Sequence, residues 1–356
     1  MSEMGSIVLA YSLFKKTKEV FPWASLYFLT FKETRYAVDV LNFFPKKNVV
    51  TIDSKNILTF LFSTLKAVGV LRKEKIDIVL DLELFARFTA IFSYFSRAKN
   101  RIGYHKYHNE GLYRGNFLTH RVPFNPHIHI AHNMLNLIYA VVASSDTVPP
   151  AKLPIKEEDI TILKTRISPQ EKEAVLSKLS QESKEIVRAE KMILINPNAS
   201  DIIPIRRWPL ERYVELVKLL LQHQGIYIVI TGVESERKDA EKICQAVGSE
   251  RCLNIAGKTS FSELIGLYQI ADILISNDSG PVHFSSMTDI KTFVFFGPET
   301  PRLYGPLGRD AHVFYSDFSC SPCVSAFNHR RSACNSNECL KTISAQSVYR
   351  EIVKLL

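Results

Sequence analysis

The chain has 356 residues, of which 46% are hydrophobic and 23% charged, as expected for a globular protein with two domains. No apolar run approaches the roughly 20 residues that a membrane-spanning helix needs. The net charge is +9, and residues 1–187 carry most of it, with 26 Lys and Arg against 18 Asp and Glu. This excess indicates either an anionic partner for the front half or general solubility.

Helical and strand-like patterns alternate in the first half of the sequence. A helical pattern over the first twenty residues ends at Phe21-Pro22, and a longer one covers residues 58–71. Strand-like runs are found at residues 25–29, 49–53 and 76–82, and just ahead of Gly103. The alternation predicts a parallel sheet with helices on both faces, in an N-terminal domain of residues 1–187. The connection to the next domain is placed within the Pro-, Lys- and Glu-rich residues 144–190.

A second alternating series predicts another α/β domain over residues 188–344. Helices are expected from Leu210, over residues 234–247 and over residues 260–270. Strands are expected at residues 192–196, 226–231, 252–255, 273–275, 292–296 and 311–315. The last helix, residues 345–356, is expected to fold back on the first domain.

Residues 271–301 have the pattern of a βαβ unit. A buried strand ends at the turn residues 277–280, and Pro281 then begins a short apolar helix. The free N–H groups and the positive dipole end of such a helix favour a phosphate. Asp278, at the end of the strand, is expected to accept hydrogen bonds from ligand hydroxyls or to brace the loop.

The sequence DSGPVH, followed by an apolar helix and VFFGPETP, resembles the signature of the heptosyltransferase family, glycosyltransferase family 9. These enzymes move a heptose from ADP-heptose onto the inner core of lipopolysaccharide. The resemblance implies an inverting transfer and a GT-B fold, in which two Rossmann-like domains face each other across a cleft. No cofactor is required for catalysis. The expected acceptor is a phosphorylated glycolipid, and no nucleic acid is expected as a partner.

The same resemblance suggests a location at a membrane surface. The N-terminus lacks the basic region and cleavage site of a signal peptide, so a cytoplasmic protein is expected. A lipid-linked acceptor then implies peripheral contact with the inner face of the inner membrane. Residues 96–132 carry six of the ten histidines, interleaved with cationic and aromatic residues. This region suits a phosphorylated sugar-lipid acceptor, and the alternative is a solvated loop.

The resemblance also assigns donor-binding roles in the second domain. Arg206, two residues ahead of the Trp-Pro pair, takes the place of a family cation that neutralises the donor pyrophosphate, and arginine matches phosphate oxygens bidentately. An acidic residue after the second strand of this domain binds the ribose, and the spacing favours Glu236 over Glu234. The expected donor set is Asn198, Arg206, Glu236, Asp278, Ser279, Gly280 and His283. Trp208 is expected in the core of the domain.

Ser6 stands where the family carries its catalytic base, an Asp directly after a Gly in the first loop. A serine hydroxyl is too weak a base at neutral pH to replace a carboxylate. The candidate replacements are Glu3, Asp81, Glu83 and Glu110. The first strand of the N-terminal domain, which precedes that loop in the family, is apparently missing as well. Two other hypotheses therefore stay open: a catalytically impaired nucleotide-sugar-binding protein of the same fold, and an unrelated Rossmann-type enzyme such as an epimerase.

Four of the six cysteines cluster near the C-terminus. Their spacing is Cys320-x2-Cys323-x10-Cys334-x4-Cys339, with His329 among them. Such spacing is typical of a structural zinc site. Free thiols in a loop are the alternative.

Overall fold

The computed structural model describes residues 3–84, 86–106, 113–143, 148–325, 328 and 330–356. The chain divides into two compact units. The N-terminal unit comprises Met1–Leu163 and Ser325–Arg330, and the C-terminal unit comprises Lys164–Val324 and Arg331–Leu356. Among the helices of the described residues, none has both the length and the hydropathy that crossing a bilayer requires.

The N-terminal unit contains two separate parallel sheets in its described part. Its helices are α1 (Met4–Leu9), α2 (Tyr11–Val20), α3 (Arg35–Leu41), α4 (Ile57–Lys73), α5 (Arg87–Phe95) and α6 (Ile130–Val142). Its strands are β1 (Phe28–Phe31), β2 (Val49–Ile52), β3 (Ile78–Asp81), β4 (Asn100–Tyr104) and β5 (His120–Val122). Strand β1 pairs with β2, and the other three pair in the order β3-β4-β5. The expected parallel arrangement is therefore present, but in two pieces.

The C-terminal unit is built on one six-stranded parallel sheet. Its strands are β6 (Lys191–Asn196), β7 (Ile226–Ile230), β8 (Cys252–Asn254), β9 (Ile273–Asn277), β10 (Lys291–Phe296) and β11 (Ala311–Tyr315). Its helices are α7 (Pro169–Glu182), α8 (Leu210–Leu220), α9 (Arg237–Val247), α10 (Phe261–Ile270), α11 (Gly280–Ser285), α12 (Pro301–Tyr304), α13 (Glu338–Lys341) and α14 (Ala345–Val353). The strand order β8-β7-β6-β9-β10-β11 is the 3-2-1-4-5-6 order of a doubly wound fold.

The sequence explains why the C-terminal elements begin and end where they do. Strands β6 and β9 are apolar runs buried on both faces, as expected for central parallel strands. Ser260 and Glu263 form the expected capping box at the start of α10. Gly248 ends α9 in the left-handed conformation, with φ of 66°, which a glycine adopts without strain.

The boundary between the two units differs from the expected domain boundary. The chain changes unit after Leu163, ahead of the expected residue 187, because α7 packs against α10 and Lys178 pairs with Glu263 at 2.7 Å. The terminal helix α14 packs on α8 of its own unit. Its Val348 and Ile352 are buried in the C-terminal core, and this apolar face fixes its position.

Candidate functional site

The carboxyl ends of β6 and β9 meet at the middle of the C-terminal sheet. Strand order reverses between these two strands, and ligands of doubly wound sheets bind at such a switch point. Asn277, the last residue of β9, links the loop that follows β6 to the loop that follows β9. Its Oδ1 accepts a hydrogen bond from the Trp208 N–H at 2.8 Å, and its Nδ2 donates to the Pro197 carbonyl at 2.7 Å. The two loops therefore form one rim, which we call the switch rim.

Arg206 and Asp278 form a buried ion pair at the switch rim. The Arg206 Nη1 lies 3.3 Å from the Asp278 Oδ2, and the two side chains are only 9% and 6% exposed. Asp278 is held in place by its backbone N–H, which donates to the Phe295 carbonyl of β10 at 3.0 Å. A buried ion pair contributes little net stability compared with apolar side chains of similar volume. Its presence at a switch point therefore points to a ligand.

Two buried donors at the rim lack a hydrogen-bond partner among the residues that the structure describes. They are the Nε of Arg206 and the Nδ2 of Asn198. An unsatisfied buried donor costs about 1–3 kcal/mol, and more when it is charged, so such groups are normally bonded. Oxygen atoms of a bound ligand would satisfy both, and a phosphate suits the guanidinium best.

Ser279, Gly280 and His283 continue from Asp278 into α11. Ser279 is the N-cap residue, but its Oγ bonds to the Asn277 carbonyl at 3.1 Å and does not cap the helix. Pro281 lies in the first turn, as predicted. His283 is buried, at 7% exposure. The structure therefore brings Asn198, Arg206, Asp278, Ser279 and Gly280 to one rim, with His283 one turn along the helix.

Glu236 lies at the same edge of the sheet, after the neighbouring strand β7. Its Oε2 accepts a hydrogen bond from the Val233 N–H at 2.9 Å. A Cβ on Gly232 would come within 2.8 Å of this Oε2, so the carboxylate requires a glycine there. Burial raises the pKa of Glu236, while the Val233 N–H and Arg207 act in the opposite direction. Glu234, the alternative candidate for the ribose, is exposed and lies close to Gly257.

The neighbours of Arg206 have structural roles. Trp208 is buried, stacks on Phe295 with ring centroids 4.3 Å apart, and donates its Nε1 proton to the Ile343 carbonyl at 2.9 Å. The core position predicted for Trp208 is confirmed. Arg207 donates to the Ala199 carbonyl and pairs with Asp201, so it shapes the loop after β6.

The candidate bases Ser6 and Glu3 lie at the start of α1 in the N-terminal unit. Ser6 is half-buried, and its Oγ donates to the Glu3 Oε2 at 3.4 Å. Glu3 also pairs with Arg330, and its side chain remains 46% exposed. The candidate Glu110 lies outside the described residues.

The candidate base Asp81 is buried at the end of β3 and is fully engaged. Its Oδ2 pairs with Arg114, which is itself 1% exposed, and its Oδ1 accepts from the Glu83 N–H at 3.1 Å. Arg114 also donates to the carbonyls of Glu83 and Ala86 and to the Thr89 hydroxyl. This network favours a structural role for Asp81 in tying β3 to its loops.

Comparison with known proteins identifies the family. The family model described as glycosyltransferase family 9 (heptosyltransferase) matches residues 65–332. The chain belongs to glycosyltransferase family 9. The lipooligosaccharide heptosyltransferase 2 of Haemophilus influenzae is 26% identical over 185 residues, which are 51% of each chain. The lipopolysaccharide heptosyltransferase 2 of Salmonella typhimurium is 31% identical over 113 residues, which are 31% of this chain and 32% of that one. The matched part of the chain thus spans about half of the length of the first relative and about a third of the second.

Solved structures of this family share the fold. The structure of E. coli ADP-heptose lps heptosyltransferase II is 20% identical, with a TM-score of 0.76 over 100% of this chain and 96% of that one. The glycosyl transferase family 9 structure from Veillonella parvula is 17% identical, with a TM-score of 0.75 over 100% and 94%. The predicted GT-B fold is confirmed.

Two residues of this family 9 chain at the same sheet edge were not predicted from the sequence. Asn277 joins the loops after β6 and β9, and a single asparagine in a turn carries no signal for such a bridge. Glu299 follows β10 and is 1% exposed, with its Oε1 accepting from the Thr300 N–H at 3.0 Å. The signal that could have identified Glu299 is an acidic residue soon after an apolar strand, in the segment VFFGPETP.

The predicted zinc site of this family 9 chain is not confirmed. Among the described residues, no group of three or more His, Cys, Asp or Glu side chains could hold a metal ion. Cys320 is exposed and Cys339 buried, and none of the four cysteines forms a disulfide within the described part of the chain. Burial raises the pKa of the Cys339 thiol, and the neighbouring thiols of Cys323, Cys334 and Cys320 act in the same direction. His329 lies outside the described residues.

Proposed function

We propose that the chain is an inverting glycosyltransferase that moves a heptose from ADP-heptose to a lipopolysaccharide core acceptor. The observation that carries the proposal is the buried Arg206–Asp278 pair, whose rim also holds two unsatisfied donors. In support, a solved structure of similar fold is that of E. coli heptosyltransferase WaaC with ADP, and the relatives compared above are heptosyltransferases.

The switch rim would stabilise the diphosphate as the leaving group of the transfer. When the bond between the anomeric carbon and the diphosphate breaks, negative charge develops on the phosphate oxygens. Arg206 would neutralise this charge from a buried position, where electrostatic interactions are stronger than in water. Asn198 would donate to a diphosphate or sugar oxygen, and Glu236 would accept from the ribose hydroxyls.

The acceptor hydroxyl needs a base on the face opposite the diphosphate. Of the described candidates, Glu3 has the most accessible carboxylate, because Asp81 is buried against Arg114 and Ser6 lacks a basic group. We therefore propose Glu3 as the base of this chain. The second candidate function is a nucleotide-sugar-binding protein without turnover, which the Ser6 hydroxyl at the family's base position and the Glu3–Arg330 pair favour.

Two measurements separate these functions. Calorimetry with ADP, UDP and GDP tests the donor site, and we expect ADP to bind most tightly. A preference for UDP would overturn the ADP-heptose assignment. Release of ADP from ADP-heptose in the presence of core lipid then tests transfer, and we expect Glu3→Gln to reduce it by about 10²–10⁴-fold. If the wild type binds ADP but releases none from ADP-heptose, the second candidate function, nucleotide-sugar binding without turnover, is the one supported.

We further propose that α4 holds the protein at an anionic membrane surface. An apolar stripe along this helix is more than half exposed; it consists of Ile57, Leu58, Leu61, Phe62 and Leu65. Residues 55–73 contain four cations and no Asp or Glu. An apolar helix face bordered by cations is the pattern of an interfacial helix. A lipid-linked acceptor would be met at that surface.

Vesicle sedimentation tests this contact. We expect the chain to bind vesicles of phosphatidylglycerol and phosphatidylcholine better than vesicles of phosphatidylcholine alone. The double variant Leu61→Ser, Phe62→Ser should lose at least about tenfold in binding, because each apolar side chain contributes about 1.5–3 kcal/mol when buried. Val187→Ser, at another exposed apolar residue, is the matched control. Equal binding by the double variant would exclude α4 as the contact.

A further inference from the structure

Two cysteines of the C-terminal unit lie with their sulfur atoms in contact. The Sγ of Cys244 is 3.4 Å from the Sγ of Cys252, and neither residue forms a disulfide in this structure. The sulfur–sulfur bond of a disulfide is about 2.05 Å long, so the two atoms need to approach each other by only about 1.4 Å to form one. We call these two residues the thiol pair.

The local sequence brings the thiol pair together. Residues 243, 244 and 247 have the spacing of one helix face, and this face of α9 packs on the core of the C-terminal unit. Gly248 then reverses the chain in the left-handed conformation, and its N–H donates to the Cys244 carbonyl at 2.9 Å. Cys252, the first residue of β8, therefore lies beside the last turn of α9, which carries Cys244.

The connection between the two cysteines is held by hydrogen bonds of its own. Arg251 donates to the carbonyl of Leu221 at 2.7 Å and to that of His223 at 2.8 Å, in the turn after α8. The Cys252 N–H donates to the Ser249 carbonyl at 3.0 Å. Since these bonds fix the backbone that leads into β8, the contact between the two sulfur atoms is set by the fold.

The two thiols differ in their surroundings. Cys252 is 7% exposed and belongs to the core cluster, whereas Cys244 is half-buried at the edge of that cluster. The contact with Cys252 lowers the pKa of the Cys244 thiol, although burial and the charge of Glu241 act in the opposite direction. The same contact and burial raise the pKa of Cys252. Because the attacking species in disulfide exchange is an accessible thiolate, Cys244 is suited to attack and Cys252 to close the bond.

We propose that Cys244 and Cys252 form a reversible disulfide by exchange with a low-molecular-weight disulfide of the glutathione type. The Cys244 thiolate bonds to one sulfur of this reagent, the sulfur–sulfur bond of the reagent breaks, and one small thiolate leaves. The Cys252 thiolate then bonds to the Cys244 sulfur and displaces the second small thiolate. Two protein thiols are oxidised and one small disulfide is reduced to two thiols, which take up the two protons that the protein thiols release. Transient disulfides of this kind are typical of proteins in reducing compartments.

The disulfide fastens one edge of the C-terminal sheet. In the sheet that the structure describes, β8 is an outermost strand of three residues and pairs with β7 alone. A covalent bond between α9 and β8 suppresses the local openings in which a short edge strand separates from its helix. At about 1.5 Å per residue, Cys244 lies about 12 Å along α9 from Glu236, on the side of the sheet opposite the switch rim. The inference is therefore independent of the proposed function.

Peptide mapping tests the bond. The chain is equilibrated with oxidised and reduced glutathione, free thiols are blocked with N-ethylmaleimide, and the denatured protein is digested with trypsin. Cleavage after Lys242 and Arg251 places the two cysteines on separate peptides, residues 243–251 and 252–258. We expect these peptides to be recovered joined, at least about tenfold above the level in protein treated with dithiothreitol. Failure to recover the joined peptides at a large excess of oxidised glutathione would overturn the inference.

Single variants test the order of attack. In Cys252→Ser, which lacks the closing thiol, Cys244 should accumulate as a mixed disulfide with glutathione, heavier in intact mass by one glutathionyl group. In folded Cys244→Ser, Cys252 should stay unmodified, because it is buried in the core. Serine differs from cysteine by one atom, and urea unfolding shows that each variant is folded. Modification of Cys252 in the second variant as fast as that of Cys244 in the first would overturn the order of attack.

Comparison with the unfolded chain separates the fold from mere proximity in sequence, since the two cysteines are only eight positions apart. The equilibrium constant for closing the disulfide with glutathione should be at least about tenfold larger in the folded protein than in urea, and by linkage the oxidised protein should unfold at a higher urea concentration. Amide hydrogen exchange of Cys252–Asn254 should slow on oxidation of the wild type and not of Cys244→Ser. Equal constants in the folded and unfolded chains would overturn the inference.

Discussion

Replacement of Arg206 separates a ligand-binding role from a structural one. Arg206→Met removes the guanidinium that pairs with the Asp278 carboxylate, which is only 4% exposed. Breaking a buried pair in this way costs about 3–5 kcal/mol. Since a domain has about 5–15 kcal/mol of stability in total, the single variant should unfold at clearly lower urea concentration. Its loss of ADP binding alone would therefore be ambiguous.

The double variant Arg206→Met, Asp278→Asn resolves this ambiguity. It removes both charges, so most of the lost stability should return, because pairs replaced by apolar or neutral groups are often close to neutral. ADP binding should not return. Charge-assisted hydrogen bonds contribute about 1.5–3 kcal/mol, so we expect ADP to bind about 10- to 150-fold more weakly, as measured by calorimetry.

Arg212→Met is the matched control for this cycle. The Arg212 side chain is 37% exposed on α8, where it pairs with Glu215 at 2.8 Å, and such surface pairs contribute at most about 1 kcal/mol. Neither stability nor ADP affinity should change measurably. If the double variant binds ADP as tightly as the wild type, the pair is structural and the donor site lies elsewhere.

Three further changes test the remaining assignments. Asp81→Asn should lower the free energy of unfolding in urea by about 3–5 kcal/mol, because it leaves the buried Arg114 without its counterion. The Asp81→Asn protein that remains folded should release ADP as fast as the wild type. Trp208→Ala should cost about 3–5 kcal/mol, since the indole is buried against Phe295. Burial raises the pKa of Glu236, so the wild type loses stability as pH rises through that pKa. Glu236→Gln removes this loss, and its stability relative to the wild type should be greater at pH 7 than at pH 4.

The C-terminal unit could be predicted because its signals are local. Apolar runs such as residues 192–196 and 273–275 have no polar face, and only a central parallel strand accommodates them. The turn residues after them mark the sheet edge, where the proposed donor-binding residues lie. The bridge made by Asn277 could not be predicted, because its partners Pro197 and Trp208 are distant in sequence.

The domain boundary and the Asp81–Arg114 ion pair could not be predicted from the sequence either, again for physical reasons. Polar helix α7 resembles a linker in composition, and only its contact with α10 assigns it to the C-terminal unit. Arg114 lies 33 residues from Asp81 in a region rich in cations. Nothing in the sequence distinguishes Arg114, which is buried, from the arginines of this region that face solvent.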